Sequence, residues 1–115
     1  MDASSALTEL VGLSTQIVEV VIVGHDGDVE AAHPASDARA RELASAGEAT
    51  LHAAADVRPE GPAVERIHVD LERGSLVVVR DDVRTIVATT VAEPTAGLVA
   101  YDLREALRRA GDATS

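Results

Sequence analysis

The segment "DARARELASAGEATLHAAA", residues 37–55, constrains the fold more than any other stretch of the chain. Its apolar positions recur at helical spacing, and Ser36 or Asp37 stands ready to cap it after Pro34. The polar stripe is narrow and runs through Arg41, Ser45, Glu48 and His52. One face carries Ala40, Leu43, Ala44, Gly47, Leu51 and Ala54, and a neighbouring face carries Ala38, Ala46, Ala49 and Ala53. A helix with a single apolar stripe covers a core. One that is small and apolar on two faces can be approached closely from two sides. The second side points to a partner subunit; the competing reading is an alanine-rich helix selected for propensity alone.

The remaining segments supply a sheet. "SSALTELVGL", residues 4–13, spaces Leu7, Leu10 and Val11 for a short helix with Ser4 or Ser5 as its cap. "QIVEVVIVG" predicts a β-branched strand over 16–23. Asp26 and Gly27 make a turn, "VEAAH" returns as a second strand, and Pro34 ends the hairpin. After the loop "DVRPEGP", the run "AVERIHVDL" sets Ile67, Val69 and Leu71 on one face and Arg66, His68 and Asp70 on the other. The polar set lies on an exposed sheet face or beneath the long helix. "SLVVVR" and "VRTIVATTV" complete a meander, turned at Arg73 and Gly74 and at the two-residue loop Asp81 and Asp82. Thr95 caps a last helix with Val99, Leu103, Ala106, Leu107 and Ala110 on its apolar side, and Gly111 stops it. The order α-β-β-α-β-β-β-α predicts an α+β fold: a three-layer α/β/α sandwich around a five-stranded antiparallel sheet, one domain over 1–115.

Composition narrows the function. With one Tyr and neither Phe nor Trp, the core is built from Ala, Val, Leu and Ile. The absence of Cys excludes disulfides, thiolate metal sites and a cysteine nucleophile. Twenty acidic residues against ten basic ones give a formal charge of −10, which opposes nucleic acid and anionic membranes as partners. Every basic residue is Arg. Such a balance resembles the cytoplasmic proteins of salt-accumulating haloarchaea, with a GC-rich actinobacterium as the next reading. "MDASSALTEL" carries no basic, apolar leader and no run reaches the ~20 apolar residues of a membrane span, so a soluble cytoplasmic protein is the expectation.

Candidate chemistry is sparse. In "VVIVGHDGDVEAAHP", Asp26, Asp28 and Glu30 alternate as oxygen ligands would, but the further ligands of a calcium loop are missing. His25 and His33 lack a third zinc ligand. His52 and His68 lie on polar stripes, and Ser75 in "RGSL" lacks the strand-turn-helix setting of a nucleophile elbow. No phosphate-binding glycine motif occurs. The expectation is a protein with no catalytic residues, no metal and no cofactor.

The order of these pieces resembles the roadblock/dynein light chain domain family. The likeness rests on the hairpin "VVIVGHDGDVEAAH", the small-residue helix, the meander "SLVVVRDDVRTIVATTV" and the run "TTVAEPTAGLVAYDLREAL", with Glu93, Pro94, Gly97, Leu98 and Tyr101 at its corner and helix. The resemblance implies a dimer, with itself or a related roadblock subunit, in which third strands join into one sheet and second helices pack side by side. It places Ala40, Leu43, Gly47, Leu51 and Ala54 of the helix, and Arg66, His68 and Asp70 within strand residues 64–71, at that contact; Gly47→Arg would then break the dimer. It further implies regulation or scaffolding of a Ras-like small GTPase, with Arg39, Arg41, Glu48 and His52 facing the partner. An acidic surface suits a partner with a basic patch. A small-ligand sensor module on the same fold is the alternative from a different class.

Overall fold

Each strand predicted from the sequence enters one sheet. A computed structural model describes residues 2–33, 36–61 and 64–111, so Pro34 lies outside the described residues. The elements are α1 (Ala3–Leu13), β1 (Ile17–Val23), β2 (Val29–His33), α2 (Asp37–Val57), β3 (Arg66–Leu71), β4 (Gly74–Arg80), β5 (Thr85–Thr90) and α3 (Ala96–Gly111). The strands are ordered β2-β1-β5-β4-β3 and every neighbouring pair is antiparallel. Helices α1 and α3 cover one face and α2 the other, which is the expected α/β/α sandwich.

The two faces are filled differently. Beneath α1 and α3 lie the larger side chains: Leu7, Leu10, Ile22, Val77, Val79, Ile86, Leu103 and Leu107 are all buried in one cluster. Beneath α2 the cluster is smaller, with Val21, Val23, Val78 and Val87 meeting Ala40, Leu43 and Leu51. Gly47 sits at the centre of that contact, and a Cβ there would overlap Cγ2 of Val87. The absence of a side chain at Gly47 therefore sets how closely α2 approaches the sheet.

The local signals were partly displaced. Helix α1 is capped by Asp2, whose Oδ1 accepts the N–H of Ser5 at 2.7 Å, and not by Ser4 or Ser5. Leu71 pairs with Gly74, so Glu72 and Arg73 form the turn and Gly74 opens β4. Gly74 holds φ at +145° where a Cβ would overlap the carbonyl oxygen of Thr90. The β4–β5 connection spans residues 81–84 instead of two residues, because Asp81 Oδ1 accepts the N–H groups of both Val83 and Arg84, at 2.8 and 2.7 Å. Glu93 takes φ of +53° at the corner between β5 and α3. Among the described residues no helix is long and apolar enough to cross a membrane.

Candidate interaction surface

The long helix presents two small faces, and the structure decides which one is inside. Ala40, Leu43, Gly47 and Leu51, read from the sequence as a dimer contact, are turned onto the chain's own sheet and buried. That assignment is corrected: no partner reaches a face whose closest neighbour is Val87. Ala54 is only half-buried, at the margin of the same face. The other row, Ala38, Ala46, Ala49 and Ala53, is exposed. Ala38, Ala46 and Ala49 join Arg41, Glu42 and Ser45 in a shallow depression along the outer surface of α2.

Beside this helix the sheet is incompletely covered. Helix α2 lies over β1, β2 and β5, leaving the strip of β4 and β3 with little above it. On that strip Ile67, Val69 and Leu76 are half-buried and Leu71 is 53% exposed. β3 is an edge strand. Its opposite face carries Arg66, His68 and Asp70, on the side of α3 and not beneath α2; a small cleft there is lined by Arg66, His68, Val77, Ala96, Gly97 and Ala100.

His68 and Asp70 meet Ser75 of β4, a combination that invites comparison with a catalytic triad. His68 Nε2 lies 2.9 Å from Ser75 Oγ and 3.1 Å from Asp70 Oδ1, and the Ser75 hydroxyl donates to Asp70 Oδ1 at 3.3 Å. Serine and carboxylate thus meet the same ring nitrogen. A triad needs them on opposite nitrogens, so that the carboxylate orients the ring while the other nitrogen takes the hydroxyl proton. Ser75 is also 1% exposed, and its N–H donates to Thr90 Oγ1 at 3.1 Å. The trio ties β3 to β4.

A larger groove of about 620 Å³ opens at the turn end of the sheet, between the C-terminal half of α2 and the β1–β2 and β4–β5 connections. Glu48 and His52 line it together with His25, Asp26, Arg80 and Asp82. Arg84 borders it, 9% exposed, with its Nε 3.2 Å from both carboxylate oxygens of Glu30. Glu30 is therefore no simple surface charge of the hairpin. Gly24 leaves the room it occupies, since a Cβ at Gly24 would lie 2.6 Å from Glu30 Oε2. The members of the Glu30–Arg84 pair are 54 residues apart, and no local pattern joins them. His25 lies in the turn while His33 pairs with Val20 at the far end of β2, so the two histidines do not converge. Among the described residues no three His, Asp or Glu side chains converge as metal ligands.

No family model and no curated protein matches the sequence. Solved structures do. The roadblock/LC7 domain from Streptomyces avermitilis superposes with a TM-score of 0.84 at 17% identity, covering 99% of this chain and 98% of that one. The chain has the roadblock/LC7 fold. The gliding protein MglB from Thermus thermophilus follows at 0.65 and 20% identity, over 90% of this chain and 82% of that one. A profilin from Schizosaccharomyces pombe reaches 0.57 at 21% identity, over 89% of each chain. The roadblock fold thus shares its layout with a profilin, and the site has to carry the functional argument.

Within this roadblock fold the four residues read as partner-facing separate. Arg39 is committed internally: its Nε and Nη2 donate to Glu19 of β1 at 2.7 and 2.9 Å, and its Nη1 donates to Glu42 at 3.1 Å. Glu19 also accepts the Thr89 hydroxyl at 3.1 Å. Arg41, Glu48 and His52 are exposed, Arg41 on the outer depression and the other two on the groove. The Arg39 guanidinium holds the Glu19 carboxyl below its ordinary value. A carboxyl depressed by folding contributes stability that is complete above its unfolded value, near pH 4.5, and lost as pH falls through the depressed value. Arg39 is 46% exposed, so solvent screening holds the pair to about 1 kcal/mol or less. The unfolding free energy of Arg39→Ala from urea titration should therefore trail the native chain at pH 7 by that amount, and the gap should close as pH falls below about 4.5. A gap that is constant with pH would assign the loss to packing of the Arg39 stem instead.

Proposed function

We propose that the chain is a non-catalytic, dimeric adaptor or regulator of a Ras-like small GTPase, a roadblock domain in role as well as in fold. The observation that carries this reading is the uncovered apolar strip of Ile67, Val69, Leu71 and Leu76 at a free strand edge, together with the exposed row Ala38, Ala46, Ala49 and Ala53 on the helix that covers the rest of that face. Small side chains let a second helix approach closely, and a free strand edge next to exposed apolar groups is a liability unless another chain pairs with it. A second copy, or a related roadblock subunit, satisfies both at once. In the family that the sequence resembles, paired second helices meet the GTPase. In this chain Arg41, Glu48 and His52 remain exposed on α2 for that contact, whereas Arg39 is held by Glu19.

Light scattering at high salt should give twice the 11.9 kDa chain mass, and the protein should co-elute with a Ras-like GTPase loaded with one guanine nucleotide in preference to the other. A strict monomer would remove the dimer, and nucleotide-independent elution apart from the GTPase would remove the regulator. The groove at the turn end of the sheet supports the second reading, a small-ligand module. Saturable binding of a small molecule to the isolated protein would favour it.

A further inference from the structure

We infer that two copies of β3 pair antiparallel with His68 on the twofold axis, so that Arg66 of each copy meets Asp70 of the other. This rests on the dimer reading above and specifies its register.

The backbone phase of β3 comes first. The Arg80 N–H donates to the Glu65 carbonyl at 2.9 Å, continuing the ladder in which Arg66 stands opposite Val79. Alternate residues of a strand turn their N–H and C=O groups to the same neighbour. Glu65, Ile67, Val69 and Leu71 therefore address β4, and Arg66, His68 and Asp70 turn their backbone groups to the free edge. The side chains of these three share the face that looks towards α3, and those of Ile67 and Val69 share the α2 side.

Two identical antiparallel strands related by a twofold axis keep a constant sum of residue numbers, and opposing residues must share a face. The axis therefore passes through one residue of the strand. Because the ladder already includes Glu65, the paired run is 65–71, and only a centre at His68 uses all of it. That centre sets Arg66 against Asp70 twice and Ile67 against Val69 twice. Centring on Arg66 or Asp70 sets like charges on each other, which destabilises a cross-strand pair. Centring on Val69 moves Arg66 opposite Glu72 in the turn, and centring on Ile67 moves Arg66 opposite His68.

The side chains are prepared for the first arrangement. Arg66 has no ion-pair partner among the described residues. Asp70 uses Oδ1 for both His68 and Ser75, and its Oδ2 has no donor among them. Asp70 is thus fixed by one oxygen and open at the other, and the His68–Ser75 contact holds it there. The Ile67–Val69 pairs fall on the α2 side, continuous with Leu76.

The chain has no cysteine, so single-cysteine variants report the register without background. Residues opposite each other across an antiparallel pair have Cα atoms about 4.5–5.5 Å apart, inside the range that a disulfide spans. Ile67→Cys, His68→Cys and Val69→Cys would be oxidised mildly and followed on non-reducing gels. His68→Cys is expected to cross-link about tenfold faster than the other two. Faster cross-linking of Val69→Cys or Ile67→Cys overturns the register. No cross-linking in any variant of a protein that scatters as a dimer moves the contact off β3 and overturns the inference, while a monomeric native chain overturns the dimer reading itself. Since His68→Cys loses its bond to Ser75, charge exchange gives an independent reading. Arg66→Asp and Asp70→Arg should each raise the dimer Kd about tenfold, and the double exchange should return it to within about threefold. Failure of the double variant to recover overturns the Arg66–Asp70 pairing.

Discussion

Gly47→Arg is expected to leave the chain marginally folded or unfolded at 25 °C, with a loss of at least about 4 kcal/mol out of the roughly 5–15 kcal/mol that holds a domain of this size. Already the first atom of a side chain at Gly47 would overlap Cγ2 of Val87. Val87 is fully buried in β5, the central strand, and is branched at Cβ, so it has no flexible end that can move aside. To admit the side chain, α2 must lift off Val21, Val78 and Val87, which uncovers the smaller of the two cores. Overpacking of this kind costs about 1–3 kcal/mol. The guanidinium adds the cost of a charge with no acceptor nearby in that apolar cluster. Urea unfolding followed by far-UV circular dichroism measures the effect. Gly47→Ala should fall between the two, because it brings the overlap without the charge. A folded Gly47→Arg protein of halved mass would instead return Gly47 to the outer face and remove the placement of α2 described above.

That substitution also shows where the sequence is ambiguous. Periodicity located all three helices and the five strands, and alternation put Ile67 and Val69 on the opposite face of β3 from Arg66, His68 and Asp70, as observed. It did not say which of the two small faces of α2 is inside, since alanine is compatible with either side. The available signal was size: Leu43 and Leu51 are the only large apolar side chains on the two faces, and both point to the sheet. Gly47 between them marks the closest approach.

Other features were illegible for a different reason. The Glu30–Arg84 pair joins segments 54 residues apart across the end of β1, and only the folded chain brings them together. Arg39 was assigned to the partner by the family resemblance, and nothing in the sequence pairs it with Glu19, twenty residues away on β1. The Ser75, His68 and Asp70 contacts follow from pairing between β3 and β4, which the sequence did imply, but their chemistry depends on which ring nitrogen is met. Caps and turns were misplaced by one to three residues because several polar residues in a row are equivalent as caps. Asp2 wins over Ser4 and Ser5 by standing three residues ahead of an N–H it can reach, and Gly74 is claimed by Thr90 instead of by the turn.

Ala46→Arg, one residue away from Gly47, should have the opposite consequence. Ala46 is exposed and belongs to the row with Ala38, Ala49 and Ala53, so an arginine there extends into solvent in the isolated chain. Its effect on the folding of one subunit should stay within about 0.5 kcal/mol. In the proposed dimer a second copy's helix would approach α2 along this exposed row of small side chains. Two arginines would then oppose each other across the axis at a contact built for methyl groups, with steric overlap and unpaired charge together. An increase of about a hundredfold in dimer Kd is expected, since burying unpaired charge costs several kcal/mol and each 1.4 kcal/mol is about tenfold in affinity. Sedimentation equilibrium at high salt measures it, with circular dichroism confirming the fold. A stable dimer in Ala46→Arg would place the second copy elsewhere, even if Gly47→Arg unfolds as predicted. The two adjacent substitutions separate what α2 does for its own sheet from what it offers to a partner.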